Sequence, residues 1–545
     1  MPSLYSALDI ARTALLTDEQ SINVTSQNIA NANTPGYSRQ VANLTENTPV
    51  EYGGVFYGTG VDVQNVTRSY DNFVSTQLMS SNSSLSAFQS ESSVLNNIQT
   101  YFNDQSGSGL NSDINGFFSS FQDLANDPSS SASRSAVLSS ANTLADGFNN
   151  IDSAIKQNLS DINQQISASV QQINGLANQI AGLNQAVANA QSGGTSANDL
   201  LDQRDVLLGQ LSNIVDVKTI EDQSGELNVY VGGTCLVTGS QVSPLTVSAN
   251  GGAGADNIES NGVSINSNIS GGSLKGILNA SQYIQGLDGN LNLMAFSLTK
   301  SVDLQHRSGY GLDGSTNTDF FSLPTVYAGA NSGNTGGATV SGASIANLSA
   351  VTSDNYEIRF SSASSYTVVD TTTGSVVVPN GAYTSGNAIN FDGLSVAVAN
   401  NSGPPAAGDA FSVNLTTNAA QNLSVAISDP SKIAAASTSA GLPGDNTNAL
   451  ALASLNNASI VNGATLGDYY SSAVTDLGST VQNVSNSVTA QQNVTNQLQA
   501  SKDSVSKVSI EEEAVNLIKL QQAYQASAKV ISTVNNMMDA LMNMQ

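Results

Sequence analysis

The spacing of apolar residues changes character along the chain. Near the start, positions 4, 8, 11, 15, 18, 22, 25 and 29 step by four and three, and Leu4, Leu8, Ala11, Leu15, Ile22 and Ile29 make most of that stripe apolar. At the other end Leu517, Leu520, Tyr524, Ala528, Ile531, Val534, Met538 and Leu541 keep similar steps and are apolar throughout. Stripes this narrow, with small residues between them, predict helix-against-helix seams rather than one face of a globular core. Neither terminal helix buries its stripe alone. The two ends are therefore expected to close on each other, or on copies of the chain.

Between these ends the pattern alternates between helix and strand periods. The first helix is predicted over about 3–31 and stops at Pro35-Gly36, a turn dipeptide. Residues 37–66 mix Val, Tyr and Gly and read as an extended, hairpin-like connection. A second helix carries Val74, Leu78, Leu85, Phe88, Leu95 and Phe102 as far as a loop at Gly107 and Gly109. A short one with Ile114, Phe117, Phe118, Phe121 and Leu124 ends near Asp127-Pro128. From about 131 to 191 a continuous seam that includes Ile151, Ile155, Ile162, Ile166, Val170, Ile173 and Ile180 predicts one helix. At 1.5 Å per residue it would be on the order of 90 Å long, so it needs neighbouring helices. Gly193-Gly194 breaks it, and a short helix with Leu200, Leu201, Leu207, Leu208 and Leu211 returns.

Residues 215–220, 227–231 and 236–237 then read as strands around turns at Ser224-Gly225 and Gly232-Gly233, followed by a Gly-rich loop at 251–254. Helix resumes over 274–307. Within 331–430, runs at 356–360, 366–370, 376–378, 388–391, 394–399 and 410–415 are separated by turn signals and predict a small sandwich or barrel-like module. From about 446 the chain is helical again. Leu477, Val481, Val484, Val488, Val494 and Leu498 form one seam before a break at 504–509. Ser509 with Glu512 fits a capping box, and Glu511, Glu512 and Glu513 suit the positive end of a helix dipole.

The fold class predicted is α+β multidomain: N- and C-terminal helices forming a coiled-coil or helical-bundle rod, with mostly-β domains inserted in the middle. The expected division is 1–36 with 509–545 as a terminal coiled-coil domain, 37–214 with 431–508 as a long helical bundle, 215–330 as a mixed β/α domain, and 331–430 as a small β domain. Loop-closure entropy tolerates this nesting because it grows slowly with length.

Composition narrows the function. The 545 residues are 11% charged, against roughly 25% in ordinary soluble domains, with 42 Asp and Glu to 16 Lys and Arg. A net charge of −26 with no basic run excludes nucleic acid and anionic lipid as expected partners. No run of apolar residues is long enough to span a bilayer, so no membrane insertion is expected. The start lacks the cationic and apolar regions of a cleaved signal peptide, so any export is expected to use another route. The lone Cys235 has no partner for an intramolecular disulfide and reads as a small buried residue between strands.

Several stretches carry a resemblance. Leu15-Leu16 through Ile22-Asn23-Val24-Thr25 leads into Asn28-Ile29-Ala30-Asn31, then Asn33-Thr34-Pro35-Gly36-Tyr37-Ser38-Arg39-Gln40. Glu512, Glu513, Asn516-Leu517, Gln521-Gln522-Ala523-Tyr524 and Asp539-Ala540-Leu541 mark the last helix. Internally, Leu200-Leu201-Asp202-Gln203-Arg204-Asp205 and His306-Arg307-Ser308-Gly309, with Gly311, Gly314 and Phe320-Phe321, add to the match. Together they resemble the axial proteins of the bacterial flagellum and, more narrowly, the hook-associated junction proteins. Asp18 and Glu19 depart from that pattern, which has uncharged Gln or Ala there, as does Asp303, where Asn is usual.

The resemblance implies a structural, non-enzymatic subunit outside the cell, exported through the flagellum's own channel and joining hook to filament as a helical or tubular array. It implies self-association, contact with the hook protein and with the second junction protein of the hook–filament boundary, and an export chaperone on the C-terminal helix. The residues expected to carry assembly are Leu4, Leu8, Leu15, Ile22, Asn28, Ile29, Asn31, Asn33, Pro35, Gly36 and Tyr37, with Leu517, Leu520, Tyr524, Ile531, Val534, Met538 and Leu541. No catalytic, cofactor or metal residue is expected. Asp202, Arg204 and Asp205 read as solvated helix charges, because no nucleophile or metal cluster accompanies them. His306 reads as a polar residue at a helix end. The alternatives are a rod or hook subunit, flagellin, which lacks the Asn-Thr-Pro-Gly-Tyr turn, and a surface or adhesive β protein, which would leave the helical ends unexplained.

Overall fold

The computed structural model describes residues 4–102, 109–193, 195–222, 225–250 and 254–543. The predicted helix start at residue 3, the loop residue Gly107, Gly194 of the helix break, Ser224 of the first turn, residues 251–253 of the Gly-rich loop and the final 544–545 lie outside the described residues.

Helix α1 spans Leu4–Asn31 and leads into strands β1 (Gln40–Glu46), β2 (Val50–Tyr52), β3 (Val55–Tyr57) and β4 (Val61–Arg68). β1 pairs antiparallel with β4, and β2 with β3, so the predicted hairpin is a nested one that turns at Gly53-Gly54. Helices α2 (Asn72–Gln99), α3 (Leu110–Asn126), α4 (Ser131–Ser192) and α5 (Asn198–Ile214) follow. Strands β5 (Lys218–Glu221), β6 (Leu227–Val231), β7 (Thr234–Thr238) and β8 (Gln241–Val242) form one sheet in sequential order, and β9 (Thr246–Ser248), β10 (Asn257–Ser260) and β11 (Val263–Ser264) another. Helix α6 is Gly272–Arg307.

The next strands are β12 (Tyr327–Ala330), β13 (Ala338–Ile345), β14 (Tyr356–Ser362), β15 (Ser365–Asp370), β16 (Val376–Ala382), β17 (Ala388–Phe391), β18 (Leu394–Asn400) and β19 (Ala410–Asn414). The chain then runs through α7 (Thr447–Ser454) and α8 (Leu466–Ser506) to α9 (Ile510–Met542). Long helices at both ends with mostly-β modules between them are the architecture predicted.

The chain forms two compact units. One comprises Met1–Ser93, Ile162–Asn279 and Asn483–Gln545, the other Val94–Asp161 and Ala280–Gln482. The second has an aromatic core. In α3, Ile114, Phe117, Phe118, Phe121 and Leu124 recur at helical spacing and all are buried. The Phe117 ring lies 5.0–5.7 Å from those of Phe118, Phe121, Phe320 and Phe321, in tilted or edge-on contacts. The 331–430 module is a sandwich: one sheet has the order β12-β19-β14-β15-β16, the other β13-β18-β17. Burial alternates along β18, as a sheet with one face inward requires. Tyr356 on one sheet meets Phe391 on the other at 5.1 Å.

His306 is at the predicted helix end, but it is fully buried. Its Nδ1–H donates to the Thr318 carbonyl at 2.8 Å while Nε2 accepts from Ala434 N–H at 3.0 Å. Burial lowers its pKa, which keeps the ring neutral and this tautomer in place.

Three expectations differ in detail. Strand β5 starts at Lys218 rather than 215, because Val215 N–H is spent on the Leu211 carbonyl at the end of α5. Cys235 lies in β7 but is only half-buried, with its Sγ 3.0 Å from Thr238 Oγ1. On α8, Val494 is 48% exposed and falls off the seam. The buried neighbour is Thr495, whose hydroxyl meets that of Ser81 on α2 at 2.8 Å.

Candidate functional site

Thr34, Pro35, Gly36 and Tyr37 make a turn closed by Tyr37 N–H on the Thr34 carbonyl at 3.2 Å. Proline presets the second position, and glycine takes the third at φ +83°, a conformation that L side chains avoid. A Cβ on Gly36 would also lie 2.2 Å from Val206 Cγ2 of α5, so both the backbone and the neighbour require glycine. Thr34 is itself tied to Asn31 through its N–H (2.9 Å) and its hydroxyl (3.1 Å).

The turn returns the chain beside the last turn of α1, where Asn28 is buried. Its Nδ2 donates to the Gln40 carbonyl at 2.8 Å and to Glu513 Oε2 at 3.2 Å. Its Oδ1 accepts from Gln40 N–H and from the Tyr37 hydroxyl, both at 2.9 Å. Two donors and two lone pairs are all an amide side chain has, and each is used. Burial, together with the negative charges of Asp199, Asp202 and Glu513, pushes the Tyr37 phenol up to about 12, so it stays a donor.

Glu513, in the first turn of α9, is 2% exposed. Its other oxygen receives Arg39 Nε at 2.7 Å. The preceding helix end is held from the same side: Arg39 N–H caps the Ser506 carbonyl at 2.9 Å, and the Ser69 hydroxyl caps that of Val505 at 2.9 Å. Ser509 caps α9 by accepting from Glu512 N–H, the first half of the predicted capping box.

The internal motif 200–205 meets the motif 28–40 here. Asp202 accepts Ser38 N–H at 2.9 Å and Arg68 Nη1 at 2.7 Å, and Arg68 Nη1 also reaches Asp205 at 2.8 Å. Asp199 accepts Gln40 Nε2 at 2.8 Å. The solvated reading of this motif is therefore corrected. Asp202 and Arg204 are buried, because Arg68 neutralises the first while Asn184 and the Gly225 carbonyl receive the second. Burial works to lower the Arg68 pKa; the Asp205 charge and hydrogen bonds to both carboxylates outweigh it and raise the value.

α1 lies against α9 and against β1 and β4. Leu4, Leu8, Leu15, Ile22, Ile29, Asn31 and Tyr37 are half-buried, while Asn33, Pro35 and Gly36 are exposed. On α9, Leu517, Leu520, Tyr524, Ile531 and Met538 are half-buried, Val534 is buried and Leu541 exposed. The most buried positions of α1 are Ala11, Thr17, Ser21, Thr25 and Asn28. Ala11 and Thr25 sit on the predicted stripe, while Thr17, Ser21 and Asn28 form an adjoining face that it did not reveal. Thr17 donates its hydroxyl to the Val61 carbonyl of β4 at 3.1 Å, and Gly60 approaches so closely that a Cβ there would lie 2.2 Å from Thr13 Oγ1. The steps of four and three from Thr17 through Ser21 and Thr25 to Asn28 are helical, but hydropathy scores such residues as outside. Gln40, Arg68 and Glu513 were missed as site residues. Gln40 and Glu513 did stand in the stretches that carry the resemblance, whereas Arg68 was marked only by being charged in a charge-poor chain.

The pair leaves much apolar surface outside. Tyr5, Ile10 and Leu16 on α1 are exposed, as are Ile510, Val515, Ile518, Val530, Met537 and Leu541 on α9. Val50, Val55 and Phe56 of the β2–β3 hairpin add to it. Among the described residues no group of three or more His, Cys, Asp or Glu could hold a metal ion, and no helix is long and apolar enough to cross a membrane. The arrangement offers a polar lock between the chain ends and an apolar exterior.

Comparison with known proteins agrees. Family profiles match at 95–321 (helical domain of the flagellar hook-associated protein FlgK), at 329–415 (D2-like domain of flagellar hook-associated protein 1), at 8–37 (flagella basal body rod protein) and at 502–544 (C-terminal region of the basal body rod proteins FlgEFG). Flagellar hook-associated protein 1 of Escherichia coli K12 is 31% identical over 560 aligned residues, which cover 99% of this chain and 100% of that protein. The chain belongs to the flagellar hook-associated protein 1 family.

The Salmonella typhimurium LT2 member is also 31% identical over 99% of this chain and 100% of its own length, and the Bacillus subtilis 168 member 28% identical over 59% of this chain and 71% of its own. The flagellar hook junction protein FlgK from Burkholderia pseudomallei shares the fold, with a TM-score of 0.65 and 22% identity, over 79% of this chain and all of that one. As a flagellar hook-associated protein 1, the chain is a structural subunit of the flagellum at the hook–filament junction, part of an extracellular appendage, and it associates with other axial components.

Proposed function

We propose that subunits assemble as a helical or tubular array through their terminal helices, binding the hook protein on one side and the second junction protein on the other. The observation that carries this reading is the exposed apolar surface of α1 and α9 beside a buried polar lock. Head-to-tail contacts that do not close generate such arrays, and apolar surface this extensive marks an interaction site. On this reading Leu4, Leu8, Leu15, Ile22, Ile29, Leu517, Leu520, Tyr524, Ile531, Val534, Met538 and Leu541 form the seams, while Asn28, Asn31, Asn33, Pro35, Gly36 and Tyr37 set the turn that presents them. The division is that expected: 1–36 with 509–545 for assembly, 37–214 with 431–508 as support, and 215–330 and 331–430 as inserted modules.

The role is non-enzymatic. Export proceeds without a cleaved signal peptide, with a chaperone covering the exposed stripe of α9 beforehand. Deleting 1–35 or 511–545 should abolish incorporation while the remaining modules stay folded. Cells carrying either deletion should build hooks and shed filament subunits into the medium. A truncated protein that still forms junctions would refute the terminal seams.

A further inference from the structure

Asp303 lies near the end of α6 and is fully buried. Its Oδ1 accepts two backbone donors at once, Phe320 N–H and Phe321 N–H, each at 2.9 Å. Its Oδ2 is also shielded from solvent and has no hydrogen-bond partner. The two phenylalanines it holds are themselves fully buried against Phe117 of α3 and are part of the aromatic core. A carboxyl group thus fastens α6 to the 320–321 segment while half of its hydrogen-bonding capacity is unmet.

The charged groups that bear on Asp303 are few. Arg307, one turn further along α6, is committed to Asp319 by an ion pair. Asp319, on the segment facing α6, adds a second negative charge nearby. His306 is neutral and held at both nitrogens, by Thr318 and by Ala434 of the 433–436 segment. From α3 the neighbouring groups are the Phe117 and Phe121 rings, which carry no charge.

We propose that Asp303 is a proton-operated clasp: the neutral acid fastens α6 to the 320–321 segment, and its deprotonation loosens that attachment. The two N–H donors favour the carboxylate. Burial of a charge with one oxygen unpartnered opposes them and is the larger effect. Burial raises the Asp303 pKa to about 7, with the Asp319 charge helping and the Phe321 and Phe320 N–H bonds and Arg307 resisting. The folded-state value lies above the unfolded 3.8, so the folded state binds the proton more tightly. The stability this group confers is complete below about 3.8 and is lost as pH rises through about 7.

The test uses the full-length chain. In wild type labelled with 15N-phenylalanine, the Phe320 and Phe321 amide resonances should titrate with a midpoint near 7. A midpoint near 4, or no titration, would overturn the proposal. Asp303→Asn keeps the acceptor oxygen and removes the charge. Its melting temperature should exceed wild type by about 3–8 °C at pH 8.5 and by clearly less at pH 5, where most of the folded chain still holds the proton. Reading the difference between the two proteins cancels other raised carboxyls, such as Asp288 and Asp205, which both share. An equal shift at both pH values would mean that the substitution acts on packing alone and would overturn the clasp. If Asp303→Asn fails to fold, the wild-type titration still decides.

Discussion

The aromatic cluster of the second unit and the joint of the chain ends solve the same problem by opposite means. Both fasten segments far apart in sequence. Around Phe117 the rings of Phe118, Phe121, Phe320 and Phe321 pack shape against shape, and all are sealed from solvent. Around Asn28 the fastening is directional: four hydrogen bonds on one amide, and the buried Glu513 shared between Asn28 and Arg39. Packing is worth more free energy per residue, but it tolerates alternative arrangements. Hydrogen bonds between buried partners contribute less net stability yet admit a single geometry. The lesson is a division of labour. Where stability is wanted the chain spends its phenylalanines; where a fixed register of two helices is wanted it spends its scarce charges and leaves apolar side chains outside.

Substitutions at three places would break or sharpen this contrast. Phe117→Ala should cause the largest loss, about 3–5 kcal/mol, since it opens a cavity in a fully enclosed cluster. Denaturant unfolding should show an early transition, with amide exchange at α1 and α9 unchanged. Glu513→Ala should cost less, about 1–3 kcal/mol, because it strands the Asn28 amide while Arg39 turns to water. Hydrogen exchange should then rise at 28–40 and in the first turn of α9, and near-UV circular dichroism of the aromatic cluster should stay as it was. Ile518→Asp or Val530→Asp should change stability by no more than about 0.5 kcal/mol, since these side chains are 56% and 47% exposed. Incorporation into flagella should nonetheless fail. If it persists, the outer face of α9 is not used in assembly.

The helices were legible because a burial period near 3.6 survives in the sequence wherever one face is covered, as in α3 and α6. The sandwich strands were legible for the matching reason, since β18 buries every other residue. What escaped was the wiring. Asp202 looks like any helix-surface carboxylate until Arg68, 134 positions earlier, is seen beside it. Pairings of that range leave no local periodicity. Thr17, Ser21 and Thr495 escaped for another reason: small hydroxyl residues bury comfortably by bonding to backbone or to each other, while a hydropathy pattern scores them as outside.

The Asn28 amide and the Glu513 carboxylate that accepts from it are 485 positions apart. A ribosome that stopped early, or a protease that clipped the tail, would leave the opening motif reaching for a counterpart that was never made. Closing the joint therefore requires the chain as far as the first turn of α9, and a molecule cut short before Glu513 cannot align its two end helices in this way.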